Sequence, residues 1–505
     1  MQRVAKALFD NEINRTGWSY LEVETDAGVT DEIQAYAAGV AEARATHQLI
    51  QYQIANTVTG YCNNTKKYCR RLKKFLHRNL KWIRSQIAKH ASDPFWHETK
   101  LILYQLTGMI DAYYGKALTP SMNITSFNFL LLQMGGDLIE LSTLLKRPKH
   151  AKFGRVLGQG SCSALVKPLP NNEDIVFSHV TWSGYNSMLR VLKLYKLNYR
   201  RQRTYDGPVY YSFSSYPGIT YSEDDFYTTS AGLAIMETTN DVFDELLLKR
   251  IKPIGGVPTW IRSQIATRLA RGPLQWARTF ARFNSGTYNN QWMLLDYNAF
   301  TPHQPLPNNS LLFILETLPG YVLYRDVTPV LKSQGYWPSY NIPYFPQIFN
   351  LSGAPKMVSE KGEWFSYGCC PRAKIFRRDH SKVVNMASLQ KLMRYNDYKH
   401  DPLSRCNCTP PYSAENAISA RCDLNPKNGT YPFEALGHRS HGGTDMKATN
   451  SKLVKSLQFV AISGPTYDQQ PAFQWSKSDY GPTTPHVGHP DKFEFAPVTH
   501  KWSLF

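Results

Sequence analysis

Cys162 is the residue whose surroundings first suggest chemistry. It lies in Val156-Leu-Gly-Gln-Gly-Ser-Cys-Ser-Ala-Leu-Val-Lys167, where Gly158 and Gly160 free the backbone to bend just before a thiol. Ala164, Leu165 and Val166 then read as a short buried strand. Pro168, Pro170 and Asn171-Asn-Glu-Asp174 spell a turn, and Ile175-Val-Phe-Ser-His-Val-Thr-Trp182 reads as a second strand. A hairpin centred near residue 171 sets Cys162 across from about position 180, within a residue or two of His179. A thiol beside an imidazole is the smallest set of groups that makes an activated nucleophile, because the thiolate is the reactive form. A buried structural cysteine and a histidine held by hydrogen bonds account for the same residues without catalysis.

Other motifs exclude several chemistries. His438-x-x-His441 near Cys406, Cys408 and Cys422 fits no common zinc spacing. His441-Gly-Gly443 is similar to a lipase oxyanion loop, yet no Gly-x-Ser-x-Gly elbow exists to serve it. Gly158-x-Gly160 lacks the Lys-Ser/Thr of a phosphate loop. No metal and no cofactor is therefore expected.

The elements that must position Cys162 change character along the chain. Residues 1–150 read as mostly helical, with runs at 31–57, 66–90 and 96–114 and few strand signals. Beyond Gly154 short β-rich runs at 208–213, 226–236, 291–297 and 311–316 mix with helices expected at 183–199, 242–251 and 259–283. That mixture predicts an α+β fold of two sheets with helices outside. The last forty or so residues, rich in Pro, Gly, His and aromatics, read as a tail laid over the surface.

With 505 residues, 42% hydrophobic and 19% charged, the chain is long enough for one large or two ordinary domains. The most apolar window, 127–145, is interrupted by Gly135, Gly136, Asp137 and Glu140, so a membrane span is not expected and a soluble protein is. The first residues lack the apolar core of a secretory signal, so the chain is intracellular or its numbering begins after a signal. Two features favour the second choice and a lysosomal or extracellular location. Asn-x-Ser/Thr sequons occur at Asn14, Asn63, Asn123, Asn308, Asn350, Asn407 and Asn428. Cysteines also cluster, Cys62 with Cys69 and Cys406, Cys408 and Cys422 together, as disulfides would.

The net charge of +19 calls for an anionic partner. Nucleic acid is set aside, since no binding fingerprint of spaced basic and aromatic residues is present. The densest basic segment, 66–90, repeats Tyr68, Leu72, Phe75, Leu76, Leu80, Ile83 and Ile87 at helical spacing. Its lysines and arginines are then a solvated face, with a membrane surface as the alternative partner.

Several long strings resemble the phospholipase B-like family: Gly160-Ser-Cys-Ser-Ala-Leu-Val166, Asn284-Ser-Gly-Thr-Tyr-Asn-Asn-Gln-Trp-Met293, Trp337-Pro-Ser-Tyr-Asn-Ile-Pro343, Leu392-Met-Arg-Tyr-Asn-Asp397, Glu415-Asn-Ala-Ile-Ser-Ala-Arg421, Asp423-Leu-Asn-Pro426 and Arg439-Ser-His-Gly-Gly443. The resemblance implies a four-layer αββα sandwich of the N-terminal nucleophile hydrolase type with a largely helical N-terminal region. It implies a precursor cut between Ser161 and Cys162 into an associated fragment 1–161 and a catalytic region 162–505. Carried over, the family's pocket corresponds to Cys162, His179, Trp182, Thr239, Asn341 and Arg372. In that reading Cys162, His179 and Asn341 are catalytic, with the Asn341 N–H₂ as an oxyanion donor. Trp182, Thr239 and Arg372 bind substrate, Trp182 through its wall or its indole N–H. The adjacent Cys369 and Cys370 leave the disulfide pattern beside Arg372 open. The expected activity is hydrolysis of phospholipid acyl esters through a Cys162 acyl-enzyme. Hydrolysis of acyl amides or peptides, and a non-catalytic lipid-binding glycoprotein, are the alternatives.

Overall fold

The structure is a computed structural model that describes residues 4–148, 151, 156–157, 159–200 and 209–504. The bend expected at Gly158 and the first residue of the strand expected from Pro208 lie outside the described residues. Strand β1 (Ala5–Glu12) pairs with β2 (Trp18–Thr25), β3 (Cys162–Pro168) with β4 (Ile175–Gly184), and β5 (Val191–Lys196) with β6 (Tyr211–Ser215). Then follow β7 (Phe226–Thr229), β8 (Leu233–Thr239), β9 (Asn290–Asp296), β10 (Leu312–Leu318), β11 (Tyr321–Asp326) and β12 (Trp337–Ser339). The C-terminal strands are β13 (His441–Gly443), β14 (Asp445–Thr449), β15 (Val460–Ser463), β16 (Phe473–Gln474), β17 (Lys492–Phe493) and β18 (Val498–Thr499). One sheet runs β1-β2-β5-β6-β7-β8-β9-β10-β11 and the other β12-β3-β4-β14-β15-β18, with β13 beside β4.

The two sheets face each other. Ala164, Val166 and Phe177 from the smaller sheet share one core with Leu194, Met236, Met293 and Ile314 from the larger. The outer face of the larger sheet is covered by helices Asp31–Thr57, Pro94–Tyr113, Thr259–Leu269 and Pro273–Ala281. Helices Pro371–Asp379 and Met386–Met393 cover the smaller one. The architecture is α+β, four layers in the order αββα, as expected. Helices Asp31–Thr57 and Pro94–Tyr113 touch backbone to backbone: a Cβ on Gly39 would stand 1.9 Å from Gln105 O, and one on Gly108 2.1 Å from Tyr36 O.

Five expectations about elements need correction. The N-terminal region carries β1 and β2, and β2 pairs in parallel with β5 inside the larger sheet. The helix expected over 183–199 is instead the short turn Tyr185–Ser187 followed by β5. Its Val-Leu-Lys-Leu-Tyr-Lys pattern imitates a helix because the strand is buried on both faces, with the Lys193 ammonium held 2.6 Å from Glu42 Oε1. The helix expected over 242–251 shrinks to Glu245–Leu248, and that over 259–283 breaks at Gly272-Pro273. Finally, the C-terminal stretch is more than a surface tail: β18 adds to the smaller sheet, and Trp502 is buried.

The interior also carries carboxyl groups. Glu316 on β10 is fully buried and accepts from Gln291 Nε2 at 2.7 Å and from the Tyr344 and Phe345 N–H groups at 2.6 and 3.0 Å. Burial pushes this carboxyl up to about 7 against those donors. Its folded value exceeds the unfolded 4.5, so the stability it contributes is complete below about pH 4.5 and is lost as pH rises through about 7. A tenfold change in proton affinity is worth roughly 1.4 kcal/mol. Urea unfolding from pH 4 to 8 should therefore show wild type losing about 3 kcal/mol relative to Glu316→Gln. A pH-independent difference between the two would contradict this.

Candidate functional site

The hairpin closes through the turn Pro170–Asn172, with Cys162 opposite Thr181 and Ala164 opposite His179. His179 is thus one diagonal step from Cys162 on the same face, as the spacing predicts. That face turns inward, since Ala164 and Phe177 belong to the core between the sheets. Cys162 is buried at 3% exposure and His179 is fully buried. Alternation puts Trp182 on the opposite face, in the cluster under helix Pro371–Asp379.

The peptide between Ser161 and Cys162 is clamped at both ends. Its carbonyl oxygen accepts from the Trp182 N–H at 2.6 Å. Its nitrogen, Cys162 N, donates to Asn341 Oδ1 at 3.2 Å, and Ser161 N donates to the same oxygen at 3.0 Å. Arg372 Nη1 is a third donor to Asn341 Oδ1, at 2.9 Å, and also donates to the Cys162 carbonyl. Asn341 Nδ2 in turn donates to Thr239 O at 2.8 Å. Asn341 holds φ +68°, a left-handed conformation that asparagine tolerates better than most residues. Just upstream, Gly160 N donates to Glu415 Oε1 at 3.1 Å, and a Cβ on Gly160 would stand 2.5 Å from the Trp182 ring. Only glycine fits there.

Charge around the thiol is dense. Sγ of Cys162 and carboxylate oxygens of Asp225 and Glu237 all lie within 4.8 Å of one another. Burial first, then Glu237 and Asp225, push the Cys162 thiol well above its usual range, outweighing Lys447 and a backbone bond from Thr239. The Asp225 carboxyl is itself pushed well up, by burial and by its contact with Glu237. Lys447 bonds Asp445 at 2.8 Å and Thr181 Oγ1 at 2.6 Å, and burial lowers its ammonium to about 8. Burial opposes ionisation of Asp445, yet Lys447 and Arg190 hold that carboxyl low. His179 Nε2 sits 2.8 Å from Glu237 O, an acceptor, so Nε2 carries the proton. Nδ1 is then a bare lone pair with no hydrogen-bond partner among the described residues. Burial, reinforced by Lys447, keeps this imidazole neutral.

The six residues expected in the pocket converge, but several do so in other roles. The Asn341 N–H₂ is committed to Thr239 O, so the oxygen of this amide faces the Ser161–Cys162 peptide. The Trp182 indole donates to Ile418 O at 3.2 Å; the ring is a wall on which the Arg372 guanidinium stacks at 4.3 Å. Thr239 contributes its main chain, while Thr238 Oγ1 bonds Ser339 Oγ at 2.6 Å. Arg372 is buried and bonded to the chain at the position where a substrate anion was expected. A cleft opens beside Gly160, lined by Asn341, Arg372, Tyr340, Phe243, Trp364 and Glu415 among others.

Disulfides join Cys62 to Cys69 and Cys406 to Cys408, whereas Cys422 is free. The expected participation of Cys422 in that cluster is therefore corrected. Its Sγ lies instead 2.7 Å from Glu415 Oε2. Glu415, Cys422 and His441 could present ligand atoms to a metal ion, but Arg439 Nη2 already sits 3.0 Å from Glu415 and 3.5 Å from Cys422. That guanidinium supplies the positive charge a cation would bring. His438, the other half of the His-x-x-His pair, bonds Asn425 O and Asp479 instead. Glu415, Lys447 and the Asp225–Glu237 pair were not expected at the site; nothing local to them signals it.

The phospholipase B family profile matches residues 5–500. The chain is 47% identical over 509 residues to phospholipase B-like 2 of Homo sapiens, covering 99% of this chain and 86% of that protein. It is 46% identical over 501 residues to phospholipase B-like 2 of Caenorhabditis elegans, covering 99% and 85%. Phospholipase B-like protein B of Dictyostelium discoideum is 36% identical over 501 residues, covering 97% and 84%. Among solved structures, penicillin V acylase from Agrobacterium tumefaciens aligns at 12% identity with a TM-score of 0.33, over 60% of this chain and 83% of that one.

A peptide map under non-reducing conditions should recover Cys62–Cys69 and Cys406–Cys408 as linked pairs and Cys422 as an alkylatable thiol only after unfolding. Recovery of Cys422 in a disulfide would overturn the assignment of its thiol to Glu415.

Proposed function

The chain belongs to the phospholipase B family of hydrolases, and from that premise we propose that Cys162 is the nucleophile of a self-maturing cysteine hydrolase acting on phospholipid acyl esters. The observation that carries this reading is the clamp on the Ser161–Cys162 peptide. Trp182 N–H donates to the carbonyl oxygen on which negative charge builds during attack, and Asn341 Oδ1 holds the nitrogen that must leave.

Maturation runs in two balanced steps. Sγ bonds to the Ser161 carbonyl carbon while His179 Nδ1 passes the thiol proton on to the leaving nitrogen and returns to its neutral form, and the C–N bond breaks. Water then cleaves the thioester, leaving a Ser161 carboxylate, a free thiol and an α-amine on Cys162. That amine, with an ordinary pKa of about 7.7–8.0, stays within reach of Asn341 Oδ1 and serves as the base for turnover. An ester substrate in the cleft beside Gly160 is attacked by the same sulfur: the S–C bond forms, the ester C–O bond breaks and the alcohol half leaves with the proton the amine took from the thiol. Water then cleaves the Cys162 acyl thioester, releasing a fatty acid and restoring the thiol. Burial first, then Glu237 and Asp225, oppose thiolate formation and outweigh the support from Lys447, so the thiol rests protonated until a substrate carbonyl is in place.

The reading extends to location. We propose a glycoprotein of the secretory pathway, lysosomal or extracellular, supported by the exposure of all seven sequon asparagines and by the Cys62–Cys69 and Cys406–Cys408 disulfides.

Expressed in a secretory host, wild type should yield two co-purifying fragments, the larger beginning at Cys162, and release fatty acid from phospholipid micelles. Cys162→Ala should remain one chain and release none; Asn341→Ala should slow the cut at least ten-fold. Intact wild type that still hydrolyses phospholipid would sink the maturation mechanism, and cut protein inactive on every phospholipid but active on matched amides would sink the ester assignment. Glycosidase treatment of the secreted protein should lower its mass; an unchanged mass would remove the glycoprotein assignment.

A further inference from the structure

The helix Lys66–Lys89 holds ten lysines and arginines and no acidic residue in its 24 positions, about half of the chain's net charge of +19. Tyr68, Leu72, Leu76, Ile83 and Ile87 are buried in the protein core, so this helix cannot roll over and insert its apolar side into a bilayer. Opposite them, Lys66, Lys67, Arg70, Lys74, Arg78 and Lys81 are exposed along one strip. At 1.5 Å per residue the helix is roughly 36 Å long. None of its ten cations makes an ion pair among the described residues. Where they are engaged, the partners are neutral: Arg71 donates to Leu145 O at 2.8 Å, Arg84 to Met122 O at 2.8 Å, and Lys73 lies 4.7 Å from the Phe127 ring.

A second observation gives the strip a direction. Arg84 ties the helix to the loop that follows Tyr113, and that loop displays Tyr114 at 47% and Leu118 at 43% exposure. A soluble polyanion offers nothing to an exposed leucine. A bilayer surface takes both chemistries, phosphate charge at the headgroups and apolar depth just beneath them.

We propose that the Lys66–Lys89 strip and the Tyr114–Leu118 loop form a docking surface for membranes rich in anionic phospholipid. The long cationic row lies against the headgroups, and Tyr114 and Leu118 reach into the interface. This inference stands apart from the Cys162 chemistry, and a Cys162→Ala chain should dock as wild type does.

Co-sedimentation with vesicles tests it, using phosphatidylcholine alone and phosphatidylcholine with about 30 mol% phosphatidylserine. Asn63 and Asn123 flank the surface, so binding is measured before and after removal of N-glycans. Wild type should favour the anionic vesicles at least ten-fold and lose that preference between about 50 and about 500 mM salt. Lys67→Gln/Arg70→Gln/Lys74→Gln/Arg78→Gln should lower vesicle binding at least ten-fold with an unchanged Tm. Tyr114→Ser/Leu118→Ser should lower it several-fold while leaving retention on heparin-agarose as in wild type. Equal binding to both vesicle types, a quadruple variant that binds like wild type, or retention on heparin without vesicle binding each overturns the proposal. Should a variant misfold, the lipid and salt dependence of wild type decides the matter.

Discussion

One carboxamide oxygen organises the site. Asn341 Oδ1 accepts from two successive backbone N–H groups, Ser161 and Cys162, and from the Arg372 guanidinium. An amide oxygen has two lone pairs, so three donors leave it no spare capacity and no freedom to flip. The N–H₂ end is fixed by Thr239 O, which ties the loop after β12 to the end of β8 in the other sheet. Asn341 thereby joins both sheets to the residue where β3 begins. The left-handed backbone at this asparagine, φ +68°, is sustained by those bonds. The same convergence explains how Arg372 stays buried: its charge is spread over carbonyl and amide oxygens and the face of Trp182.

Behind this clamp lies a second constraint, the electrostatics of a dry core. Arg190, Lys447, Asp224 and Asp445 are all fully or almost fully buried and bonded to one another. Such a network returns little net stability, because desolvation costs offset the attraction. What it fixes is position. Lys447 is on β14, paired directly with His179 on β4, and its ammonium reaches Thr181, the residue opposite Cys162. The cation that depresses the imidazole is therefore also a cation near the thiol. Burial, with Glu237 and Asp225 added to it, tilts the balance toward the neutral thiol. A cysteine kept protonated and out of solvent resists oxidation, since the thiolate is the reactive form.

How much of this the residues announce depends on how local each signal is. The hairpin was legible to within one residue, 181 against an expected 180, because a Pro and Asn turn between two apolar runs sets its own register. Helices Asp31–Thr57 and Lys66–Lys89 were legible because each keeps a buried face at period 3.6. Strands β2 and β5 were not. Both are buried on two sides: Leu21-Glu22-Val23-Glu24 in β2 alternates only over a short run, β5 shows no alternation, and its Lys193 is neutralised by Glu42, 151 residues away. The site divides in the same way. Cys162 and His179 follow from the hairpin, whereas Asn341 and Arg372 emerge only from the family resemblance. Glu415, Lys447 and Asp225 are ordinary in sequence and become neighbours of Cys162 or Gly160 only through the fold. The Asn341 amide illustrates the limit, since residue type told which group was near and not which end of it faced inward.

The integration of the N-terminal region also bears on what a cut at residue 162 would do. Strand β2 has β5 as its parallel neighbour, and helices Asp31–Thr57 and Pro94–Tyr113 seal the outer face of that same sheet. Residues before and after the proposed cut therefore share one sheet and one core. Breaking a single peptide bond removes no strand pairing, because the ladder between β3 and β4 starts at Cys162 itself. Two pieces so interleaved cannot part without exposing the apolar surface that both bury, and burial of such surface is the chief force holding a fold together. Were that bond cut, the strand bearing the sulfur would keep its place through its pairing with β4. A sulfur set at the first residue of an internal strand has a rigid support on its downstream side, and that follows from where β3 begins.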